Sequence, residues 1–156
     1  FLVISVVLMG IVIELGRRGR PAETPGPLAL QFAFSKDALS RIIDQWGEEG
    51  LQAYKRSLRI DYLFAIAYTI FLSSLIALLT LEPGKAPSKV HVAFFVLPFI
   101  AGLFDWVENT LHLILLADIR KLSGSLIFLA SIAASIKWIL AGFSILVILF
   151  DIYSVV

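Results

Sequence analysis

VHVAFFVLPFIAGLFDWVENTLHLILL, residues 90–116, decides the class of fold. The run exceeds the roughly 20 predominantly apolar residues a helix needs to cross a bilayer. Yet its second half carries Asp105, Glu108, Asn109 and His112. At helical spacing these stand at i, i+3, i+4 and i+7, so the four side chains project from one face. Ionisable groups in a membrane segment are costly and usually face a bundle interior or a water-filled cavity, where they pair or do chemistry. The run therefore predicts a membrane-spanning helix and marks one side of it as a site.

The rest of the chain agrees with that class. With 59% hydrophobic residues, 16% charged and a mean hydropathy of +0.92, it is far more apolar than a soluble domain. Four spans are expected, at about 1–15, 62–81, 90–117 and 122–150, the last with Lys137 as its only charge. The first is short, and because the chain opens on Phe1 rather than Met, residues upstream of it are expected. A cleaved signal peptide is the rival reading of that run, but Glu14 and the Arg17-Arg18 pair stand where a small-residue cleavage site would be. Arg17, Arg18, Arg20, Lys36, Arg41, Lys55, Arg56 and Arg59 cluster between the first two spans, and Arg120 and Lys121 between the last two. Only Lys85 and Lys89 lie between spans two and three. The positive-inside rule then makes the first and third loops cytoplasmic and both termini non-cytoplasmic, in what is expected to be a bacterial inner membrane. A net charge of +1 points to no nucleic-acid partner. The absence of cysteine removes disulfides, thiolate metal sites and a cysteine nucleophile.

Residues 16–60 form the one sizeable piece outside the spans. Pro21, Pro25, Gly26 and Pro27 stop any helix leaving the first span. In Leu28-Ala29-Leu30-Gln31-Phe32-Ala33-Phe34 large apolar residues fall at every second position, which predicts a short extended segment. Ser35 is an N-cap and Asp37 suits a first helical turn. Ala38, Leu39, Ile42, Ile43 and Trp46 then make an apolar stripe opposite Lys36, Arg41 and Asp44, an amphipathic helix lying on the cytoplasmic leaflet or capping the bundle. Gly47 and Gly50 end it, and a further helix starts near Leu51 and runs into the second span. The amphipathic segment as a whole covers 28–60.

Short connections at Glu82–Lys89, with Pro83-Gly84 and Pro87, and at Asp118–Lys121 make spans two, three and four antiparallel neighbours. The fold expected is all-α: an integral membrane four-helix up-and-down bundle with a cytoplasmic amphipathic helix in the first loop. At about 1.5 Å per residue, Asp105 lies roughly 20 Å in from Asp118, and Lys137 roughly 22 Å in from Leu122. The two are at matching depth, and an Asp105–Lys137 ion pair follows, since each charge alone would be expensive in hydrocarbon. Glu108 and Asn109 come at about the depth of Tyr68, with His112 and Asp61 nearer the cytoplasmic mouth. Asp61, Ala65, Tyr68 and Leu72 share one face of the second span. Ala130, Ala134, Lys137, Ala141 and Ser144 share a face of the fourth that is small apart from the lysine, allowing close helix approach.

Asp105, Glu108, Asn109, His112, Lys137, Tyr68 and Asp61 are thus the candidate ligand-binding residues, and Glu108, Asp105 and His112 the candidates for acid–base catalysis. A bland reading treats them as an interhelical network that only fixes which helices pair. Two carboxylates, an imidazole and an amide exceed what register-setting requires, so the expected function is binding of a lipid-like or amphiphilic small molecule in a buried polar pocket. The alternatives are an accessory or assembly subunit of a larger membrane complex, and a membrane enzyme acting on a lipid-like substrate. No metal and no cofactor is expected. His91 is about 31 Å from His112 along the same helix, which removes a bis-histidine haem. Glu108 and His112 are one residue too far apart for a di-iron Glu-x-x-His pair. No phosphate loop, nucleophile elbow or zincin motif occurs. Trp138, beside Lys137, is expected to point to lipid or a neighbouring helix.

Leu30-Gln31-Phe32-Ala33-Phe34, Ile42-Ile43-Asp44-Gln45-Trp46, Asp61-Tyr62-Leu63-Phe64 with Ala67-Tyr68, and Ala101-Gly102-Leu103-Phe104-Asp105-Trp106-Val107-Glu108-Asn109 come in this order. On these elements, which reach from Leu30 to Asn109, the chain resembles a group of small bacterial four-span membrane proteins. The resemblance implies the four-span fold and no activity. In architecture alone the chain is also similar to the sterol-isomerase and sigma-2-receptor type of membrane protein, which binds amphiphilic ligands beside buried acids. The motif spacing of that type is not found here, so it implies no residue roles.

Overall fold

Prolines after the first apolar run and a glycine at 47 divide the chain into its helices. A computed structural model describes residues 1–81, 86 and 88–155, apart from the side chains of 154 and 155. Helix makes up 86% of it and no strand occurs among the described residues, so the chain is all-α. The elements are α1 (Leu2–Arg17), α2 (Pro27–Gln31), α3 (Lys36–Thr80), α4 (Lys89–Ala117), a 3-10 turn (Ile119–Lys121) and α5 (Gly124–Val155). Among the described residues three helices are long and apolar enough to cross a membrane: Lys36–Thr80, Lys89–Ala117 and Gly124–Tyr153. At 16 residues α1 is shorter. Of the connection expected at Glu82–Lys89, residues Glu82 to Lys85 and Pro87 lie outside the described residues.

Local chemistry accounts for the helix boundaries. Ser35 caps α3, its Oγ accepting the Ala38 N–H at 3.2 Å, and Ser88 caps α4 in the same way through the His91 N–H. Gly47, at φ 65° and ψ −176°, breaks α3 into limbs 36–46 and 48–80, a conformation glycine adopts without the Cβ penalty. The amphipathic helix therefore ends at Gly47 as its sequence suggests. Gly50 does not terminate it: the second limb already contains Gly50, and its tight packing against Arg20 leaves no room for a Cβ there.

The segment from Leu28 to Phe34 corrects the sequence reading. It is not extended: Pro27 occupies the first turn of α2, where its fixed φ suits a helix and its missing N–H is not needed. Leu30 and Ala33 are buried three residues apart, while Leu28, Phe32 and Phe34 are exposed. Large apolar residues at every second position misled because Leu28, Phe32 and Phe34 are left exposed, so the alternation does not report burial here.

The long helices pair antiparallel. Along α3 and α4, Tyr54 meets His112, Asp61 meets Asn109 and Ser73 meets the Phe95 carbonyl. Along α4 and α5, Asp105 meets Lys137 and Phe94 meets Phe143. Gly16 and Gly19 of the α1 end face Ser57 and Glu49 on α3. The first limb of α3 buries Leu39, Ile42, Ile43 and Trp46 in one cluster with Leu115, Leu116, Leu122 and Ile127 from the adjoining ends of α4 and α5. Residues 21–34 form a strap beside it. Trp46 Nε1 donates to the Pro25 carbonyl at 2.7 Å, the Phe34 N–H to Ser131 Oγ at 3.1 Å, and Trp138 Nε1 to Gln31 Oε1 at 3.0 Å. Trp138 is about 20 Å along α5 from Gly124 at the helical rise, so the strap reaches well down the side of α5.

Candidate functional site: a buried ion-pair cluster

The site forms where α3, α4 and α5 meet, and each helix delivers its residues for a stated reason. On α4 the i, i+3, i+4, i+7 spacing holds: Asp105, Glu108, Asn109 and His112 are all buried, Glu108 and Asn109 at 0% exposure. On α5, Ala130, Ala134 and Ser144 are buried on the face that carries Lys137, letting α5 close on α4. On α3, Asp61 and Ala65 point inward, with Tyr68 half-buried beyond them. Gly102 permits the contact of α3 with α4, since a Cβ there would collide with Thr69 Cγ2.

Lys137 is the hub. Its Nζ lies 3.2 Å from Asp105 Oδ1 and 2.5 Å from Glu108 Oε2, so the ion pair expected with Asp105 forms and Glu108 joins it. Asn109 Nδ2 donates to Asp61 Oδ2 at 3.0 Å. His112 Nδ1 is 3.4 Å from the Tyr54 hydroxyl and 3.7 Å from Glu108 Oε1. The Tyr68 hydroxyl is directed at Asp105. All seven candidate residues thus fall in one connected neighbourhood.

Three placements differ from expectation. Asp61 and His112, read as standing at a mouth, are buried at 8% and 2% exposure. Tyr68 sits at the level of Asp105, not of Asn109, whose partner is Asp61. Depth counted from the start of the apolar run placed Asp61 at the surface, whereas the helix begins several turns earlier, at 48.

Sequence reasoning missed Tyr54 and Gln31. Tyr54 lies seven residues before Asp61, so extending the Asp61–Ala65–Tyr68–Leu72 face upstream would have found it. Gln31 had no such signal, because its link to Trp138 crosses between elements far apart in sequence. Trp138, beside Lys137, also places its ring 5.2 Å from that Nζ.

Chemically, the cluster sets three carboxylates against one ammonium. Some of its acceptors are unused: Glu108 Oε1 and Asn109 Oδ1 have no hydrogen-bond partner. Among the described residues no three His, Asp or Glu side chains converge in a metal-holding arrangement. Two open clefts, of about 540 and 500 Å³, lie toward opposite ends of α3, at Leu79 and at Glu49. Neither is lined by a residue of the cluster. Comparison with protein families, with curated proteins and with solved structures finds no match for this chain.

Proposed function

We propose that the chain is a four-span membrane protein, α1 forming the fourth span beside the three longer helices, that binds a lipid-like or amphiphilic small molecule through the Lys137 cluster. One observation carries this reading: Glu108 Oε1 and Asn109 Oδ1 are wholly enclosed and have no hydrogen-bond partner. Buried polar atoms are almost always paired, and a network that served only to fix helix register would gain by closing on itself. Acceptors left over beside an excess of carboxylates are what the donors of a ligand headgroup would meet. In this reading Asp105 and Glu108 are charge anchors, and Asn109 and Tyr68 supply hydrogen bonds. The way in passes the strap, where Gln31 meets Trp138 one residue from Lys137.

The test is mass spectrometry of small molecules retained by the detergent-purified protein, compared with Asp105→Asn and Glu108→Gln, each first shown to be monodisperse. The wild-type chain is expected to carry a bound amphiphile that both variants lose. Identical contents in all three preparations would overturn the reading and leave a register-setting network. Recovery of other chains in fixed stoichiometry, with no small molecule, would overturn it in favour of a subunit of a larger assembly.

A further inference from the structure

A second feature, remote from the Lys137 cluster, has the chemistry of a lipid headgroup site. The cleft of about 500 Å³ lies between the end of α1 and the second limb of α3, with Leu15 and Arg18 on one wall and Glu48, Glu49, Gln52 and Arg56 on the other. Its volume falls within the range of small-molecule sites. Both walls change from charged to apolar at the same level. On α1, Arg17 and Arg18 directly follow the apolar run, whose Ile11 and Ile13 are exposed. On α3, Arg56 and Arg59 precede Leu63 and Ile66, also exposed. A molecule lying here meets charge at one end and hydrocarbon along its length.

The charges are of both signs and are only partly used. Arg18 Nε pairs with Glu14 at 3.2 Å, and Glu48 accepts from Gln52 at 2.7 Å. Glu49 and Arg56 have no hydrogen-bond or ion-pair partner through their side chains among the described residues. They stand on one face of α3, about 10 Å apart along the axis, two turns from each other. One unpaired cation and one unpaired anion, set apart on the same wall, suit a ligand that is itself a dipole. An anionic headgroup would satisfy Arg56 and be repelled by Glu48 and Glu49. A choline headgroup has no N–H to give a carboxylate, whereas a primary ammonium has three donors.

We propose that this cleft binds the headgroup of a zwitterionic aminophospholipid, a phosphatidylethanolamine, with its phosphate on Arg56 and Arg18 and its ammonium on Glu49. Guanidinium groups match phosphate in a forked geometry, and charge-assisted hydrogen bonds of this kind are the strong ones. The acyl chains then run down the apolar surfaces of α1 and α3.

The test is native mass spectrometry of the full chain in detergent, offered phosphatidylethanolamine, phosphatidylcholine and phosphatidylglycerol with the same acyl chains at equal mole fraction. Phosphatidylethanolamine is expected to be retained about tenfold over the other two, the ratio set by one charge-assisted contact. Arg56→Gln lowers retention of phosphatidylethanolamine and phosphatidylglycerol alike. Glu49→Gln brings phosphatidylethanolamine down to the level of phosphatidylcholine without lowering phosphatidylglycerol. Arg59→Gln, outside the cleft, changes nothing. Equal retention of the three lipids by the wild-type chain, preference for phosphatidylglycerol, indifference to both cleft variants, or an Arg59→Gln loss as large as that of Arg56→Gln would each overturn the proposal.

Discussion

Lys137 Nζ meets Asp105 and Glu108 together, so replacing it leaves two buried carboxylates facing Asp61 without their cation. Removing one partner of a buried pair typically costs about 3 to 5 kcal/mol, because the charge left behind is uncompensated. Lys137→Met is therefore expected to lower the thermal midpoint in detergent sharply. Adding Asp105→Asn and Glu108→Gln to the same chain should recover most of the loss; no recovery would mean that the lysine acts through its packing alone. The Asp61–Asn109 hydrogen bond allows a cleaner cycle. Asn109→Leu strands the carboxylate and is expected to cost about 1 to 3 kcal/mol, while Asp61→Leu combined with Asn109→Leu should be closer to neutral, since removing both partners leaves nothing unpaired. A double variant as unstable as the sum of the singles would show that the two groups do not interact. At this scale the sequence was informative wherever helical geometry alone decides. The α4 face and the match in depth of Asp105 with Lys137 follow from 3.6 residues per turn and 1.5 Å per residue. Asp61 was misplaced because depth has to be counted from a helix start, and the second limb of α3 begins in polar sequence that hydropathy does not mark.

Between elements, the α3–α4 contact depends on Gly102, where a Cβ would meet the Thr69 methyl. Thr69 is β-branched and stiff at χ1, and its hydroxyl is held by the Ile66 carbonyl at 2.9 Å. Gly102→Ala therefore forces the helices apart or the threonine out of its rotamer, at about 1 to 3 kcal/mol. Thr69→Ala in the same chain removes the colliding methyl and should restore the midpoint; a double variant no better than Gly102→Ala would place the obstruction elsewhere. The break at Gly47 is the other element-scale device. An alanine there must hold φ 65°, so Gly47→Ala is expected to destabilise by about 1 to 2 kcal/mol, read as a lower midpoint and faster proteolysis within 36–46. Insensitivity of both would show that the two limbs need no left-handed residue between them. The cap at Ser35 and the stop at Gly47 were legible because both are local. The short helix in the strap was not, because Leu28, Phe32 and Phe34 are exposed while Leu30 and Ala33 are buried, so the alternation of large apolar residues does not follow burial.

For the molecule as a whole, the distribution of charge and the antiparallel pairing together predict an orientation. The Arg-rich connection after α1 and the Arg120-Lys121 turn after α4 fall at the same end of the helices, since Tyr54 pairs with His112 near one end of α4 and Ser73 with Phe95 toward the other. Ala86 and the exposed Tyr153 fall at the opposite end. By the positive-inside rule the first end is the one expected on the cytoplasmic side. The chain contains no cysteine, so single cysteines can be introduced without removing any. Cysteine in place of Glu23 or Asp118 is expected to react with a membrane-impermeant maleimide only when the cytoplasmic face is opened, and cysteine in place of Ala86 or Tyr153 from the other face in intact cells. That alternation tests two things together: that α3 to α5 span, and that the lysine–carboxylate cluster lies between two aqueous faces. Labelling of Glu23 and Tyr153 positions from the same side would remove the three crossings by α3, α4 and α5. The cleft at Glu49 would then lose the membrane boundary proposed for it, whereas the contacts of Lys137 with Asp105 and Glu108, made by α4 and α5, would stand.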